Sequence, residues 1–186
     1  MVQKKNKKIR LHLGCGKRNF PGFINIDRSN YKHIHFKRNV NNLKIFKNNS
    51  VDMIYASHVL EYFDINEAKS VLKEWKRVLT KGGLLRISIP NFKSLIKVYK
   101  KTNNIEKIIG PLFGRMKSNE KIIYHKYVYD YKAIYKLLKS LKFKKIKLFN
   151  WKKTFHSKFD DHSQAFFPHM NKNKGILISL NIDAEK

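Results

Sequence analysis

The stretch that decides the fold runs from Ile9 to Asp27: Ile-Arg-Leu-His-Leu-Gly-Cys-Gly-Lys-Arg-Asn-Phe-Pro-Gly-Phe-Ile-Asn-Ile-Asp. The alternating apolar residues before the first glycine form a run too short for a stable helix, so we predict a strand. Gly14 and Gly16 then give the backbone freedom of a tight turn and let a ligand approach the main chain closely. A second apolar run ends in Asp27. A carboxylate is therefore predicted at the carboxyl edge of an open α/β sheet, where ligands bind.

The spacing around this turn separates two kinds of nucleotide ligand. A dinucleotide fingerprint needs a third glycine where Asn19 stands and an acidic residue about 20 positions on, and both requirements fail. The two-glycine turn followed by Ile-Asn-Ile-Asp resembles the cofactor loop of class I S-adenosylmethionine (SAM) dependent methyltransferases. A purely structural turn between two strands is the alternative explanation for the glycines alone.

A second block of sequence strengthens the resemblance. Residues 51–56 predict a strand, and a helix is predicted from an N-cap at Asn66 to a stop at residues 81–83, Lys-Gly-Gly. Residues 84–89 then predict a strand ended by Pro90. This order is similar to the fourth strand, following helix and fifth strand of the same methyltransferases.

The remaining sequence completes an alternating pattern. A third strand is predicted at residues 31–39. A helix follows with a face of Phe92, Leu95, Ile96 and Tyr99, and residues 110–114 predict a breaker-rich loop. A second helix is predicted after its cap at Asp130. Two further strands, 145–151 and 175–182, have no helix between them and are expected to be antiparallel. The predicted fold class is α/β: one Rossmann-like domain over residues 1–186, with a seven-stranded, mostly parallel sheet, helices on both faces and an antiparallel last strand.

The charge is extreme. The chain has 41 basic and 13 acidic residues, a formal net charge of +28, which suggests nucleic acid or an anionic surface as partner. Only seven of the basic residues are Arg, and lysine lacks the forked geometry of specific phosphate contacts. Compositional drift at permissive surface positions is therefore favoured over a nucleic-acid function, which stays open.

Several features predict a cytoplasmic protein. The single cysteine, Cys15, cannot form a disulfide within the chain, which favours a reducing compartment. The basic segment Met1–Lys8 leads into a short strand instead of a signal-type apolar run, and no transmembrane segment is predicted. A basic face could still contact anionic lipid.

The resemblance also implies a set of cofactor-binding residues. Gly14 and Gly16 would lie under the cofactor, and Asp27 would accept hydrogen bonds from the ribose hydroxyls. His12 stands where these methyltransferases commonly have an acidic residue that helps to anchor the cofactor's amino group. Ser57 and His58 follow the fourth strand, where the methyl donor is walled in. The full predicted set is His12, Gly14, Cys15, Gly16, Asp27, Asn39, Val40, Ser57 and His58, with Asn39 or the backbone of Val40 near the adenine.

Methyl transfer to a hydroxyl or amine needs a base, because the sulfonium already activates the methyl group. The candidates are His58, His125, Asp160 and Asp161, with His162 and His169 beside them; each has a structural role as its alternative. No zinc-type ligand spacing occurs, so no metal is predicted.

The resemblance therefore implies a SAM-dependent methyltransferase acting on a small molecule or glycan precursor. It is similar to a compact branch associated with bacterial surface polysaccharide biosynthesis or other small-molecule modification. The substrate wall is predicted at residues 110–129 and 154–173. Two alternatives stay open: an RNA-binding or RNA-modifying protein that uses the basic surface, and a non-catalytic domain of the same fold.

Overall fold

The structure is a computed structural model that describes residues 8–118 and 121–186. Most of the basic segment Met1–Lys8, and two positions of the expected substrate wall, lie outside the described residues. The strands, in chain order, are β1 (Arg10–Leu13), β2 (Ile24–Asp27), β3 (Phe36–Lys37), β4 (Val51–Ser57), β5 (Leu79–Pro90), β6 (Met116–Ser118), β7 (Lys121–Ile123), β8 (Lys144–Leu148), β9 (Phe166–Phe167), β10 (Ile176–Leu177) and β11 (Ser179–Glu185). The helices are α1 (Ile65–Val78), α2 (Phe92–Thr102), α3 (Glu106–Phe113) and α4 (Tyr131–Ser140).

Seven of these strands form one sheet, in the order β3-β2-β1-β4-β5-β11-β8. The first five pair in parallel, and β11 is antiparallel to both of its neighbours. The predicted seven-stranded α/β sheet with an antiparallel last strand is confirmed. The predicted third strand at residues 31–39 is much shorter than expected, because only β3 pairs with β2.

One face of the sheet carries the main apolar core. Helix α1 packs there through Ala68, Val71, Leu72, Trp75 and Val78, at the spacing expected for one helix face. The indole N–H of Trp75 donates to the carbonyl of Val40 at 2.8 Å, which fixes the ring in the core. Helix α4 buries Ile134, Leu137 and Leu138 in the same core.

Both ends of α1 differ from the prediction. The N-cap is Asp64, two residues before the predicted Asn66, because Asp64 accepts from the N–H groups of Asn66 and Glu67 while Glu67 returns a bond to the N–H of Asp64. At the other end the helix stops at Val78 and the chain enters β5 before it reaches the two glycines. Pairing of β5 with β4 begins there and competes with further helix.

The predicted loop at residues 110–114 is wrong, because most of it belongs to α3. Gly114 ends this helix in the left-handed region, with φ +55°. Ile108 and Leu112 pack against Leu95 and Val98 of α2, and this contact overrides the local breaker signal of the Gly-Pro pair.

On the opposite face, coil and short 3₁₀ turns within residues 149–164 cover the region beneath β4, β5 and β11. Arg86 makes a two-pronged ion pair with Asp183 there, with both N–O distances 2.8 Å. Tyr55 donates to Asp161 in the same layer. Across the described ranges, no helix is both long and apolar enough to span a membrane.

Candidate active site

The glycine turn after β1 depends on two left-handed glycines with different surroundings. Gly14 has φ +63°, and a Cβ built on it would lie 2.5 Å from Cγ2 of Val59, so a side chain there would collide with the segment after β4. Gly16 has φ +52°, and a Cβ there would meet nothing within 4 Å. The turn is therefore packed on its Gly14 side and open at Gly16, where a ligand can lie against the main chain.

Asp27 ties this turn to the end of β2. One carboxylate oxygen accepts from the N–H of Gly16 at 2.8 Å, and the other accepts from the N–H of Ser29 at 2.8 Å. The ring of His33 bonds the carbonyl of Gly16 at 2.9 Å. Because a carboxylate has about four acceptor positions, Asp27 keeps capacity for a further pair of donors.

His12 faces away from the apolar core and lies in an aromatic cluster. It stacks on Phe20 with ring centroids 4.6 Å apart and packs against Tyr55. Burial, with a smaller contribution from His156, lowers its pKa to about 3, so the ring is neutral at pH 7. His12 therefore offers no charge in place of the acid that is common at this position.

Cys15 is a buried thiol inside the turn. Burial, together with the nearby charge of Asp27, raises its pKa to about 12. The side chain is neutral at pH 7 and has the character of a packed residue.

Asn39 and Val40 follow β3 closely. Arg38, just before them, donates its N–H to the carbonyl of Asp27 at 2.9 Å, which holds this segment beside the end of β2. The carbonyl of Val40 is already bonded to Trp75. The backbone at Asn39 therefore lies near the carboxyl end of β2, where Asp27 stands.

His58 is held by a hydrogen bond at one ring nitrogen and faces Glu61 with the other. It has φ +55°, and its Nε2 lies 2.8 Å from Oγ of Ser179, whose hydroxyl donates to the carbonyl of His162. Ser179 must then accept from His58, so Nε2 carries the proton and Nδ1 is free to accept. Nδ1 lies 3.4 Å from Oε1 of Glu61.

Glu61 is the feature of this site that the sequence prediction missed. It is 1% exposed, and burial raises its pKa to about 8, while burial and the neighbouring His162 and His125 lower the pKa of His58. At pH 7 both partners are therefore neutral, and the protonated carboxyl faces the unprotonated Nδ1 of His58. The sequence signal was an acidic residue inside the apolar run at 59–63.

Two further imidazoles lie around this pair. Nδ1 of His125 contacts the carbonyl of Leu112 at 3.1 Å, and Nε2 is 3.9 Å from Glu61. His162 packs on His58 with ring centroids 4.9 Å apart. The residue is exposed, yet desolvation of the ring and then the charge of Arg18 lower its pKa.

The two predicted acids are engaged elsewhere. Asp161 caps the 3₁₀ turn at residues 162–164 by accepting from the N–H of Ser163, and it also accepts from Tyr55. Asp160 is exposed and pairs with Lys172 at 3.1 Å. His169 is exposed on the surface. Among the described residues no group of three or more His, Cys, Asp or Glu is arranged to hold a metal ion.

The structure therefore brings the predicted residues together in two neighbouring groups. Gly14, Gly16 and Asp27 form the first, and His58, His125 and His162 form the second around Glu61, which the sequence did not predict. The groups meet where Gly14 packs on Val59, and Ser57, at the end of β4, lies between them with a buried hydroxyl that has no partner in the described chain. Such an edge, with close main-chain approach on one side and titratable groups on the other, suits a nucleotide-like cofactor beside a proton acceptor.

Comparison with known proteins finds similarity to methyltransferases. Residues 19–87, less than half of the chain, match the family described as "Methyltransferase domain". The fold is similar to a SAM-dependent methyltransferase from Thermotoga maritima, described as a possible histamine N-methyltransferase, with TM-score 0.60 and 17% identity over 96% of this chain and 82% of that one. No curated protein matches the sequence.

Two other solved structures are alike in fold. A SAM-dependent methyltransferase from Archaeoglobus fulgidus gives TM-score 0.58 and 17% identity over 98% of this chain and 87% of that one. The 1,6-didemethyltoxoflavin-N1-methyltransferase of Burkholderia thailandensis was solved with S-adenosylhomocysteine bound. It gives TM-score 0.55 and 11% identity over 96% of this chain and 70% of that one. At these identities the structures establish the fold.

The fold is that of the class I, Rossmann-like SAM-dependent methyltransferases. The matched family, in a chain with this fold, indicates an enzyme whose cofactor is SAM.

Proposed function

We propose that this chain transfers the methyl group of SAM to a hydroxyl or amine of a small molecule or glycan precursor. The observation that carries the proposal is the group of neutral imidazoles around buried Glu61, placed next to an open glycine turn. SAM, when bound, supplies a methyl group already activated by its sulfonium. The chain's own residues then have to align the acceptor and remove its proton.

The residues of the first group fit this cofactor. Gly16 leaves open space at the main chain, and Asp27 keeps acceptor positions for two adjacent hydroxyls. Asn39, on the same edge, is proposed to contact the adenine. His12 is neutral and buried, so we propose that the amino group of the cofactor is held by main-chain carbonyls of the turn instead.

We propose His162 as the general base. His58 uses Nε2 for Ser179 and its Nδ1 faces buried Glu61 at 3.4 Å, and His125 uses Nδ1 for Leu112. His162, by contrast, is exposed and has no side-chain hydrogen bond within the described residues. Its lowered pKa keeps the ring unprotonated and able to accept a proton at pH 7. His58, Glu61 and His125 would position the ring and the acceptor.

Acceptor labelling tests the proposal. The protein is incubated with methyl-tritiated SAM and, separately, catechol, a primary aryl amine, a set of nucleotide sugars and total RNA. Label in a hydroxyl or amine of a small molecule is the expected result. Label confined to RNA would overturn the small-molecule proposal and favour the basic surface as the substrate site.

Variants of the neighbouring residues identify the base. Replacing His162 with Asn should lower the rate about 100-fold or more while S-adenosylhomocysteine binding is retained. Asp160→Asn is the matched control, two positions away and exposed, and should keep the wild-type rate. A larger loss in His125→Asn than in His162→Asn would move the base to His125.

The finer biological setting belongs to the same proposal. The single cysteine, which forms no disulfide, supports a cytoplasmic location. The resemblance of the sequence supports a role in surface polysaccharide biosynthesis. Methylation of a nucleotide sugar in the labelling experiment would support that setting.

A further inference from the structure

Helices α2 and α3 expose an unusual amount of apolar surface. They pack against each other through Leu95, Val98 and Ile108, and each presents a second apolar stripe outward. Phe113 is 52% exposed and Ile105 is 48% exposed, far above the core of the same helices. We call these outward residues the α2–α3 surface: Phe92, Ile96 and Tyr99 on α2, and Ile105, Ile109 and Phe113 at α3.

The spacing shows that these residues are ordered along each helix. Phe92, Ile96 and Tyr99 are separated by four and three positions, and the three residues at α3 are each four positions apart, so each set forms a stripe along one side of its helix. The hairpin β6–β7, which follows α3 directly, adds exposed Met116 and Ile122. Clustered exposed apolar side chains of this size mark an interaction site.

The same region is strongly basic. Between residues 92 and 126 the sequence has nine Lys or Arg and two Glu. On α2, Lys93, Lys97, Lys100 and Lys101 are all exposed and flank the apolar stripe. Long lysine side chains can rest their methylenes on apolar surface while the ammonium group reaches an anionic layer.

We propose that the α2–α3 surface docks on an anionic phospholipid bilayer, with the apolar stripes in the headgroup region and the lysines on lipid phosphates. Helices with apolar and aromatic residues on one side and lysines beside them have the composition of interfacial helices. A second copy of the chain would bring two basic surfaces together, which is unfavourable. RNA would engage the lysines but leaves five exposed aliphatic side chains at 96, 105, 109, 116 and 122 without a partner.

Docking would place the candidate active site beside the membrane surface. His125 follows the β6–β7 hairpin, and its N–H donates to the carbonyl of Phe113 at 2.8 Å, while its ring contacts the carbonyl of Leu112. The α2–α3 surface and the site are thus joined through the end of α3. The docking surface does not depend on the acceptor that the enzyme methylates.

Vesicle co-sedimentation tests the proposal. The full chain should bind vesicles of equimolar phosphatidylcholine and phosphatidylglycerol and should not bind phosphatidylcholine alone. The double variant Lys97→Glu, Lys100→Glu should weaken binding at least about 30-fold: the loss of two lysines near an anionic surface corresponds to about 2 kcal/mol, and the two new carboxylates add repulsion. The double variant Ile109→Ser, Phe113→Ser should weaken it about 10-fold through lost apolar burial.

Matched controls separate the surface from general charge. Lys69→Glu, Lys73→Glu on α1 makes the same charge change on another exposed helix and should weaken binding less than about 5-fold. Ile45→Ser, Leu148→Ser removes two exposed apolar side chains elsewhere and should have no effect. Equal losses for the two lysine pairs, unchanged binding of the Ile109–Phe113 variant, or no binding of the wild type would overturn the proposal. Complete displacement by added RNA would favour a nucleic-acid surface in its place.

Discussion

Replacing Gly14 with Ala should destabilise the protein strongly. The new Cβ would lie 2.5 Å from Cγ2 of Val59, and the residue would have to adopt φ +63°. The left-handed conformation costs about 1–2 kcal/mol for a residue with a Cβ, and overpacking in a buried contact costs about 1–3 kcal/mol. We expect a loss of about 3 kcal/mol in the free energy of unfolding, measured by urea titration.

Two companion variants separate the collision from the backbone cost. Gly16→Ala has a similar φ but meets nothing within 4 Å, so it should lose only about 1 kcal/mol while blocking S-adenosylhomocysteine binding. Val59→Ala removes the colliding methyl groups, so Gly14→Ala combined with Val59→Ala should be about 2 kcal/mol more stable than the sum of the single effects. Equal losses for the two glycines, or strict additivity with Val59→Ala, would refute the argument.

Two other predictions concern Glu61 and Asp64. The pKa of Glu61 is about 8 in the folded protein against an ordinary 4.5, so its contribution to stability is full below about pH 4.5 and is lost progressively as the pH rises from about 4.5 to 8. At about 1.4 kcal/mol per pH unit, Glu61→Gln should gain about 5 kcal/mol in the free energy of unfolding relative to wild type across this window, and a pH-independent difference in urea titrations would contradict this. Asp64→Ala removes the acceptor of two N–H groups of α1 and should lower the free energy of unfolding by about 1 kcal/mol, whereas Asn66→Ala should lower it much less. An equal loss in Asn66→Ala would contradict the assignment of Asp64 as the cap.

The elements that the sequence predicted well are those coded locally. Three such elements are the glycine turn, the acid at the end of β2 and the helical face of α1. Each depends on residues that are neighbours in the sequence, so the sequence pattern predicts it without knowledge of the fold. The sequence places the N-cap of α1 at Asn66, two residues after the observed cap. Asp64 and Asn66 are both favourable capping residues, and the bond from the N–H of Asp64 to the side chain of Glu67 decides between them.

The elements that the sequence missed depend on distant contacts. Helix α3 contains a Gly-Pro pair and forms because Ile108 packs on α2. Glu61 gains its raised pKa from burial among residues as far along the chain as His125, and no local pattern reports that burial. The engagement of His58 by Ser179 likewise joins residues 121 positions apart.

The most direct test of the cofactor site is urea unfolding with and without S-adenosylhomocysteine, on the wild type and on Asp27→Ala. At 100 times its dissociation constant, a ligand of the folded state adds about 2.7 kcal/mol to the free energy of unfolding. The site predicts this gain for the wild type and no gain for Asp27→Ala, which must still unfold cooperatively without ligand. Equal gains in both proteins, or none in the wild type, would contradict the assignment of Asp27 and the glycine turn as the cofactor site.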